Sequence, residues 1–136
     1  MPPDIQCRVR ALDHLDLMVR NIPDAVRFYT QVLGMRGVQF TAPDGGRHWA
    51  LHFGQSKINL HSATSPAGLA TATLTPGTAS LCFLSDAPLA DWIVHLTTHQ
   101  IDIEDGPVPA SGAKGPLTTI FIRDPDGTLI QIAEHV

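Results

Sequence analysis

The stretch ALDHLDLMVRNIPDAVRFYTQVLG, residues 11–34, decides the fold. Its opening part, 11–19, alternates between apolar and polar side chains, and this period of two predicts a β-strand. The remainder predicts a helix, since Asn21 is a suitable N-cap, Pro23 fits the first turn and Gly34 marks the end. One face of this helix is apolar and carries Ile22, Val26, Tyr29 and Leu33.

A similar order of predicted strands and helix then occurs a second time along the chain. Short strands are predicted at 37–42, 48–54 and 56–62, and a stretch rich in Thr, Ala, Pro and Gly follows them. The pattern restarts with a strand at 79–85 and a helix at 85–100 that has Ser85 or Asp86 as its cap. A long Gly- and Pro-rich loop within 103–119 borders a strand, and the last two strands are predicted at 118–124 and 128–134. The order is β-α-β-β-β twice, an internal repeat of structure.

This repeat predicts an α+β fold of one domain spanning residues 1–136. Module 1 covers about 11–63, a linker covers 64–77 and module 2 covers about 78–135. Each module alone would leave one sheet face uncovered. We therefore expect two tandem βαβββ modules to form one open, cup-shaped mixed sheet with the helices outside.

Composition and charge exclude several classes of partner. The chain has 136 residues, a net charge of -4 and no run of Lys or Arg, so nucleic acid and anionic membranes are poor candidates. Its apolar runs are too short to span a bilayer, and the N-terminus lacks the apolar region of a secretory signal. Cys7 and Cys82 form neither a disulfide framework nor a paired metal motif. We expect a cytoplasmic protein that acts on a small-molecule substrate, without nucleic acid or membrane partners.

Alternation along the strands also sorts side chains between the two sheet faces. The aliphatic set is expected to lie under the helices: Leu15, Leu17, Ile58, Leu60, Leu81, Phe83, Ile130 and Ile132. The opposite set faces the concavity: His14, Asp16, Asn59, His61, Ser80 and Gln131. Solvated polar residues on a half-exposed sheet would give the same pattern. Two histidines on matching strands favour a metal site, because imidazole is the commonest side-chain metal ligand.

Four further features have both a structural and a functional interpretation. His95 and His99 have the i, i+4 spacing of a zinc site, but no Glu follows the first His, so a solvated helix face is favoured. RDPDG, 123–127, is a good type I turn. His52 is placed at the rim of the concavity. The loop DGPVPASGAKGP, 105–116, is typical of a lid or binding loop, in which Lys114 could attract an anionic substrate group.

Several segments resemble the glyoxalase/bleomycin-resistance/dioxygenase (vicinal oxygen chelate) superfamily, and within it the glyoxalase-domain-containing protein 5 group. They are LDHLDLMV (12–19), FYTQVLGM (28–35), ALHFGQSKINLH (50–61), GPVPASGAKGP (106–116) and FIRDPDGTLI (121–130). The resemblance implies paired βαβββ modules, a homodimer and a divalent metal in the cup. Unpaired sheet edges also favour dimerisation.

Carried over residue by residue, the family's metal-ligand positions are His14, His61, the position of Ser80, and Gln131. The group tends to have an acidic residue near position 80 and a Glu at 131, and both are neutral here. Gln131 thus occupies a ligand position but weakens the site, and it is a poor general base. Asp16 is a nearby carboxylate on the same face, whereas Glu134 has the opposite strand parity. We assign Gln131 and Asp16 as catalytic candidates and His14, His61 and Gln131 as metal ligands. Asn59, Ser80, His52 and Lys114 are substrate-binding candidates.

The leading functional hypothesis is a lyase or isomerase that uses a divalent ion (Zn, Ni, Mn, Fe or Mg) to polarise vicinal oxygens of its substrate. A ring-cleaving dioxygenase is less favoured, because Gln131 stands where its iron would need a carboxylate. The alternative is a metal-free protein that binds or sequesters a small molecule in the same cleft. A pure interaction module is the third hypothesis, supported only by the incomplete metal site.

Overall fold

The computed structural model describes residues 11–41, 45–63 and 75–136. The order of elements is β1 (His14–Val19), α1 (Ile22–Arg27), a π-helical segment (Phe28–Val32), β2 (Arg36–Thr41), β3 (Arg47–Phe53), β4 (Ser56–Ser62), β5 (Ser80–Leu84), α2 (Leu89–Thr98), β6 (Asp105–Gly112), β7 (Gly115–Arg123) and β8 (Leu129–His135). The predicted α+β class and the two βαβββ modules are confirmed. Cys7 and most of the predicted linker, 64–74, lie outside the described residues.

The strands form two four-stranded sheets rather than one continuous sheet, with orders β1-β4-β3-β2 and β5-β8-β7-β6. In each sheet the first and last strands of the module are parallel neighbours, and the other pairs are antiparallel. We call them sheet 1 and sheet 2. No helix among the described residues has the length and apolar character needed to cross a membrane.

The aliphatic strand residues pack under the helices, as alternation predicted. Leu17, Ile58, Leu60, Ile130 and Ile132 are buried in one cluster with α1, the π-helical segment and α2, while Leu15, Leu81 and Phe83 pack partly buried against it. Burial of each such side chain contributes about 1.5–3 kcal/mol to the driving force for folding. The opposite side of each sheet, on which none of the described helices packs, is called its open face.

The helix ends differ from the sequence prediction in one respect. Asn21 caps α1 as expected, since its side chain accepts a hydrogen bond from the Asp24 amide. Neither Ser85 nor Asp86 caps α2, which begins directly after Pro88. Instead, Glu134 Oε2 accepts a hydrogen bond from the Leu89 amide at 3.3 Å. A carboxylate from β8 thus satisfies one of the unpaired amides that every helix N-terminus presents.

The predicted lid loop is wrong, because most of 105–116 forms strand β6 and a tight turn into β7. Pro107 and Pro109 lack the amide that a ladder needs, which argued against a strand. However, β6 is the edge strand of sheet 2, where an absent amide is tolerated. The register also shifts between Asp105 and Val108. Only Ala113 and Lys114 remain in the turn.

A buried hydrogen bond joins the two modules. The Tyr29 hydroxyl donates to Asp124 Oδ2 at 2.8 Å, and both side chains are buried. Asp124 Oδ1 accepts from the amides of Asp126 and Thr128 at 2.9 and 2.8 Å, which holds the RDPDG turn. The Arg20 amide donates to Asp126 Oδ1 at 2.9 Å. The turn, predicted to serve only its own hairpin, therefore also connects module 2 to module 1.

A second link lies between the helices. His95 Nε2 donates to the Val32 carbonyl at 2.9 Å, and the His95 ring lies 4.5 Å from that of His99. His95 therefore has a structural partner, and its helix face is not simply solvated.

We expect alkaline pH to unfold the protein through Tyr29, the single tyrosine of the chain. Burial and the charge of Asp124 raise the pKa of Tyr29 far above its ordinary value. The unfolded chain loses this proton near pH 10, so the stabilisation is present below about pH 10 and falls as pH rises. Absorbance at 295 nm should thus report phenolate only together with loss of the folded circular-dichroism signal. Phenolate formation in a folded protein would contradict this assignment.

Tyr29→Phe should lower the free energy of unfolding at neutral pH by about 1.5–3 kcal/mol, because the Asp124 carboxylate loses a buried donor. It should also weaken the alkaline transition. Thr30→Val is the matched control, since its hydroxyl bonds only to Val26 O within the helix. Chemical denaturation measures the free energy of unfolding of the wild type and the two variants. Equal losses in Tyr29→Phe and Thr30→Val would show that the Tyr29–Asp124 hydrogen bond stabilises the fold no more than one within a helix.

Candidate functional site

The open face of sheet 1 brings together three predicted site residues: His14, Asp16 and His61. His61 Nε2 lies 2.8 Å from Asp16 Oδ1, and His14 Nε2 lies 3.9 Å from Asp16 Oδ2. Strand pairing places them on one face, because Asp16 is opposite Asn59 on β4 and His61 is two residues further along that strand. The shared face confirms the strand parity derived from sequence.

The two histidine side chains differ in how much of their surface is exposed. The His61 side chain is 13% exposed and the His14 side chain 42%, so His61 is the more shielded imidazole. His14 Nδ1 also lies 2.8 Å from the exposed Asp13 carboxylate. When His61 Nε2 carries the proton donated to Asp16, Nδ1 of His61 keeps a lone pair. A carboxylate that orients and polarises an imidazole is an arrangement suited to proton transfer.

Asn59 lies in the next position of the same face, beside Asp16 on one side and Ala50 on the other. Its Oδ1 is buried and has no hydrogen-bond partner among the described residues. A buried amide without a partner costs about 1–3 kcal/mol. Asn59 Oδ1 is therefore an unsatisfied acceptor that is shielded from solvent beside Asp16. His52 is opposite Lys57 and Arg36, on the same open face.

Gln131 lies on the open face of sheet 2, opposite Cys82 on β5 and Phe121 on β7. Its Oε1 is 3.4 Å from Thr119 Oγ1, which is also 3.2 Å from Ile132 O. One hydroxyl proton serves only one of these oxygens at a time. If the side-chain oxygen and nitrogen of Gln131 are interchanged, Nε2 donates to Thr119 Oγ1 and Oε1 turns toward the open face, where a ligand would lie. Ser80 is exposed at the start of β5, opposite Leu129.

The remaining predicted residue, Lys114, lines a cavity of about 360 Å³ at the far end of the same face. Cys82, Leu84, Leu117 and His135 are among its other lining residues. Burial raises the pKa of the Cys82 thiol, which favours its protonated form. Lys114 projects from a β-turn rather than from the predicted lid.

The donor set does not fit a divalent metal ion as it stands. Within 11–41, 45–63 and 75–136, no group of three or more His, Cys, Asp or Glu side chains could hold one. Asp16 already occupies Nε2 of His61. The candidates in sheet 2, Ser80 and Gln131, are neutral, so they leave the charge of an ion uncompensated. The predicted site roles remain predictions.

Sequence reasoning missed Thr119 and His135. Both share the parity of the Gln131 face, because Thr119 pairs with Ala133 and His135 pairs with Leu117. The alternation signal was present for His135, four residues beyond Gln131. For Thr119 the alternation signal was absent. Residues 118 and 119 are both threonine, so they do not differ in polarity between the two faces.

Comparison with known proteins assigns the family. The model of the Glyoxalase/Bleomycin resistance protein/Dioxygenase superfamily matches residues 11–132. The chain belongs to this superfamily, whose fold and paired modules agree with the structure.

Similar proteins cover nearly the whole chain. Virulence protein STM3117 of Salmonella typhimurium is 40% identical over 132 residues, which is 97% of this chain and 89% of that protein. Glyoxalase domain-containing protein RDO1 of Mycosarcoma maydis is 39% identical over 130 residues, 96% of this chain and 71% of that protein. An integron cassette protein from V. cholerae has a solved structure with a TM-score of 0.90 and 39% identity, covering 97% of this chain and all of that one.

Gln131→Glu tests whether position 131 shares a site with His14 and His61. If it does, the variant should bind Zn, Mn or Ni at least tenfold more tightly than the wild type, about 1.4 kcal/mol, since a carboxylate offsets the charge that the neutral donors leave uncompensated. His61→Ala should remove binding in both backgrounds. Calorimetric titration of chelator-stripped protein measures the affinities. Gln31→Glu, an exposed helix position with the same charge change, is the control. Equal affinities for the wild type and Gln131→Glu would remove position 131 from the ligand set.

Proposed function

We propose that this protein is a small-molecule lyase or isomerase of the glyoxalase type, in which Asp16 and His61 transfer a proton. One observation carries the proposal: the 2.8 Å contact between Asp16 Oδ1 and His61 Nε2 on a face that no helix covers. The superfamily membership supports a small oxygenated molecule as the substrate. Similarity to the glyoxalase-domain-containing protein 5 group is part of the same proposal.

The chemistry follows from the positions of the donors and acceptors. His61 Nδ1 removes a proton from the carbon beside a substrate carbonyl, and the electron pair of that C–H bond forms an enolate. Asp16 stabilises the imidazolium that results, and His61 returns the proton to a neighbouring carbon or to a leaving group. The Asn59 side chain, which lies beside Asp16 on the same face, would donate from its Nδ2 amide to the developing oxyanion. No step passes through a metal ion, because the donor set does not fit one.

A metal-free binding protein is the second candidate, and two observations favour it. Ser80 and Gln131 are neutral where the resembling group tends to have acids, and an apolar-walled cavity lies on the same face as Gln131. A protein of this kind would hold its ligand without exchanging a proton. This difference separates the two candidates in one experiment.

The experiment follows exchange of the carbon-bound proton into D2O by NMR, in the presence of EDTA. The probes are dihydroxyacetone and the hemithioacetal of methylglyoxal with glutathione. We expect Asp16→Asn and His61→Gln to slow exchange by about 10²–10⁴-fold, the usual contribution of a general base. His99→Gln, at an exposed histidine that directly follows α2, is the matched control and should exchange at the wild-type rate. Equal rates in all four proteins would reject the proton-transfer pair, and binding without exchange would favour the second candidate.

A homodimer is also part of the proposal. β1 and β2 are the edge strands of sheet 1, and β5 and β6 those of sheet 2, and unpaired edges favour association. Light scattering at micromolar concentration should give about twice the chain mass of 14.7 kDa. A monomer under these conditions would contradict it. We further propose a cytoplasmic location, since the expected chemistry needs no disulfide.

A further inference from the structure

The cavity on the open face of sheet 2 is bounded by residues of β5 and β7 and by the turn between β6 and β7. Leu117, which is 4% exposed, forms the floor, and Leu84 on β5 forms an apolar wall. Strand pairing puts Cys82, Leu84, Leu117 and His135 on the side of sheet 2 that faces away from α2. The turn at Ala113–Lys114 closes one end. The volume of about 360 Å³ suits a small molecule rather than a peptide.

The shape of this cavity depends on Gly112. A Cβ at this position would lie 2.6 Å from Leu117 Cδ1, closer than real contacts allow. Glycine therefore lets the end of β6 lie directly against the Leu117 side chain of β7. This close approach positions Lys114 at the edge of the cavity, on a turn that Gly115 completes with a φ of +129°.

The charge of the cavity is opposite to that of the chain. The net charge of the protein is -4, yet none of the described lining residues is Asp or Glu. Lys114 and His135 supply the basic groups, and neither side chain has a hydrogen bond or ion pair within the described part of the chain. A lysine ammonium beside an apolar wall is suited to a ligand with one anionic group.

We infer that this cavity binds a small molecule with an apolar body and a single carboxylate, which Lys114 and His135 hold at the edge of the cavity. The inference names a ligand class for the proposed function and rests on that function only in placing the ligand on an open face. It requires neither Asp16 nor His61. A failure of proton exchange and a failure of carboxylate binding are therefore separate results.

The test compares naphthoate with naphthamide, two probes of the same body that differ in charge. Calorimetry on the full chain should show that the wild type prefers naphthoate. Lys114→Gln should weaken naphthoate binding about tenfold and leave naphthamide unchanged, and His135→Gln should act in the same direction. Lys57→Gln is the control, because it makes the same charge change on the open face of sheet 1. Thermal unfolding checks that each variant is folded.

Alkylation of Cys82 in a Cys7→Ser background locates the ligand. Naphthoate should slow modification of Cys82 several-fold in that protein, and the protection should be lost with Lys114→Gln. Three results would overturn the inference: no naphthoate binding to the wild type, equal effects of Lys114→Gln and Lys57→Gln, or binding without protection of Cys82.

Discussion

The hydrogen bond between Tyr29 and Asp124 is the constraint on which the rest of the structure depends. Asp124 brings a carboxylate into the core, and an unpaired carboxylate there would be costly. The chain satisfies one oxygen with the amides of its own turn and the other with a hydroxyl from the opposite module. The turn of module 2 is therefore completed only when the helical region of module 1 is in place. Together with the Arg20–Asp126 and His95–Val32 hydrogen bonds and the shared apolar cluster, this pairing holds the two modules against each other.

Strand alternation was the informative part of the sequence. Period two separated Leu17 and Ile58 from Asp16 and Asn59, and the structure has each on the expected side. It also separated Glu134 from Gln131, and Glu134 indeed points to α2. These predictions succeed because burial on one side of a sheet fixes register for every residue of a strand.

The failures arise where tertiary contacts override local preference. Pro107 and Pro109 indicate a loop when read locally, but an edge strand needs few of the amides that proline lacks. Ser85 is a good helix cap by composition, yet its hydroxyl bonds to the Ala87 backbone and to the Trp92 indole. The environment of Gln131 depends on Thr119, twelve residues earlier on a neighbouring strand. No local pattern reports such a partner, so alternation could place Gln131 on a face without showing what it contacts.

The separation of the eight strands into two hydrogen-bonded sheets has a consequence for how such a protein diversifies. Proton-transfer candidates lie on sheet 1, and the basic, apolar-walled cavity lies on sheet 2. A substitution that reshapes the cavity does not alter the ladder that aligns Asp16 with His61, because no backbone ladder joins the two sheets within the described residues. The two proposals, proton transfer and carboxylate binding, therefore involve different modules of the repeat. Selection can change the residues of one module while it preserves those of the other. This suits a fold that serves many small-molecule functions.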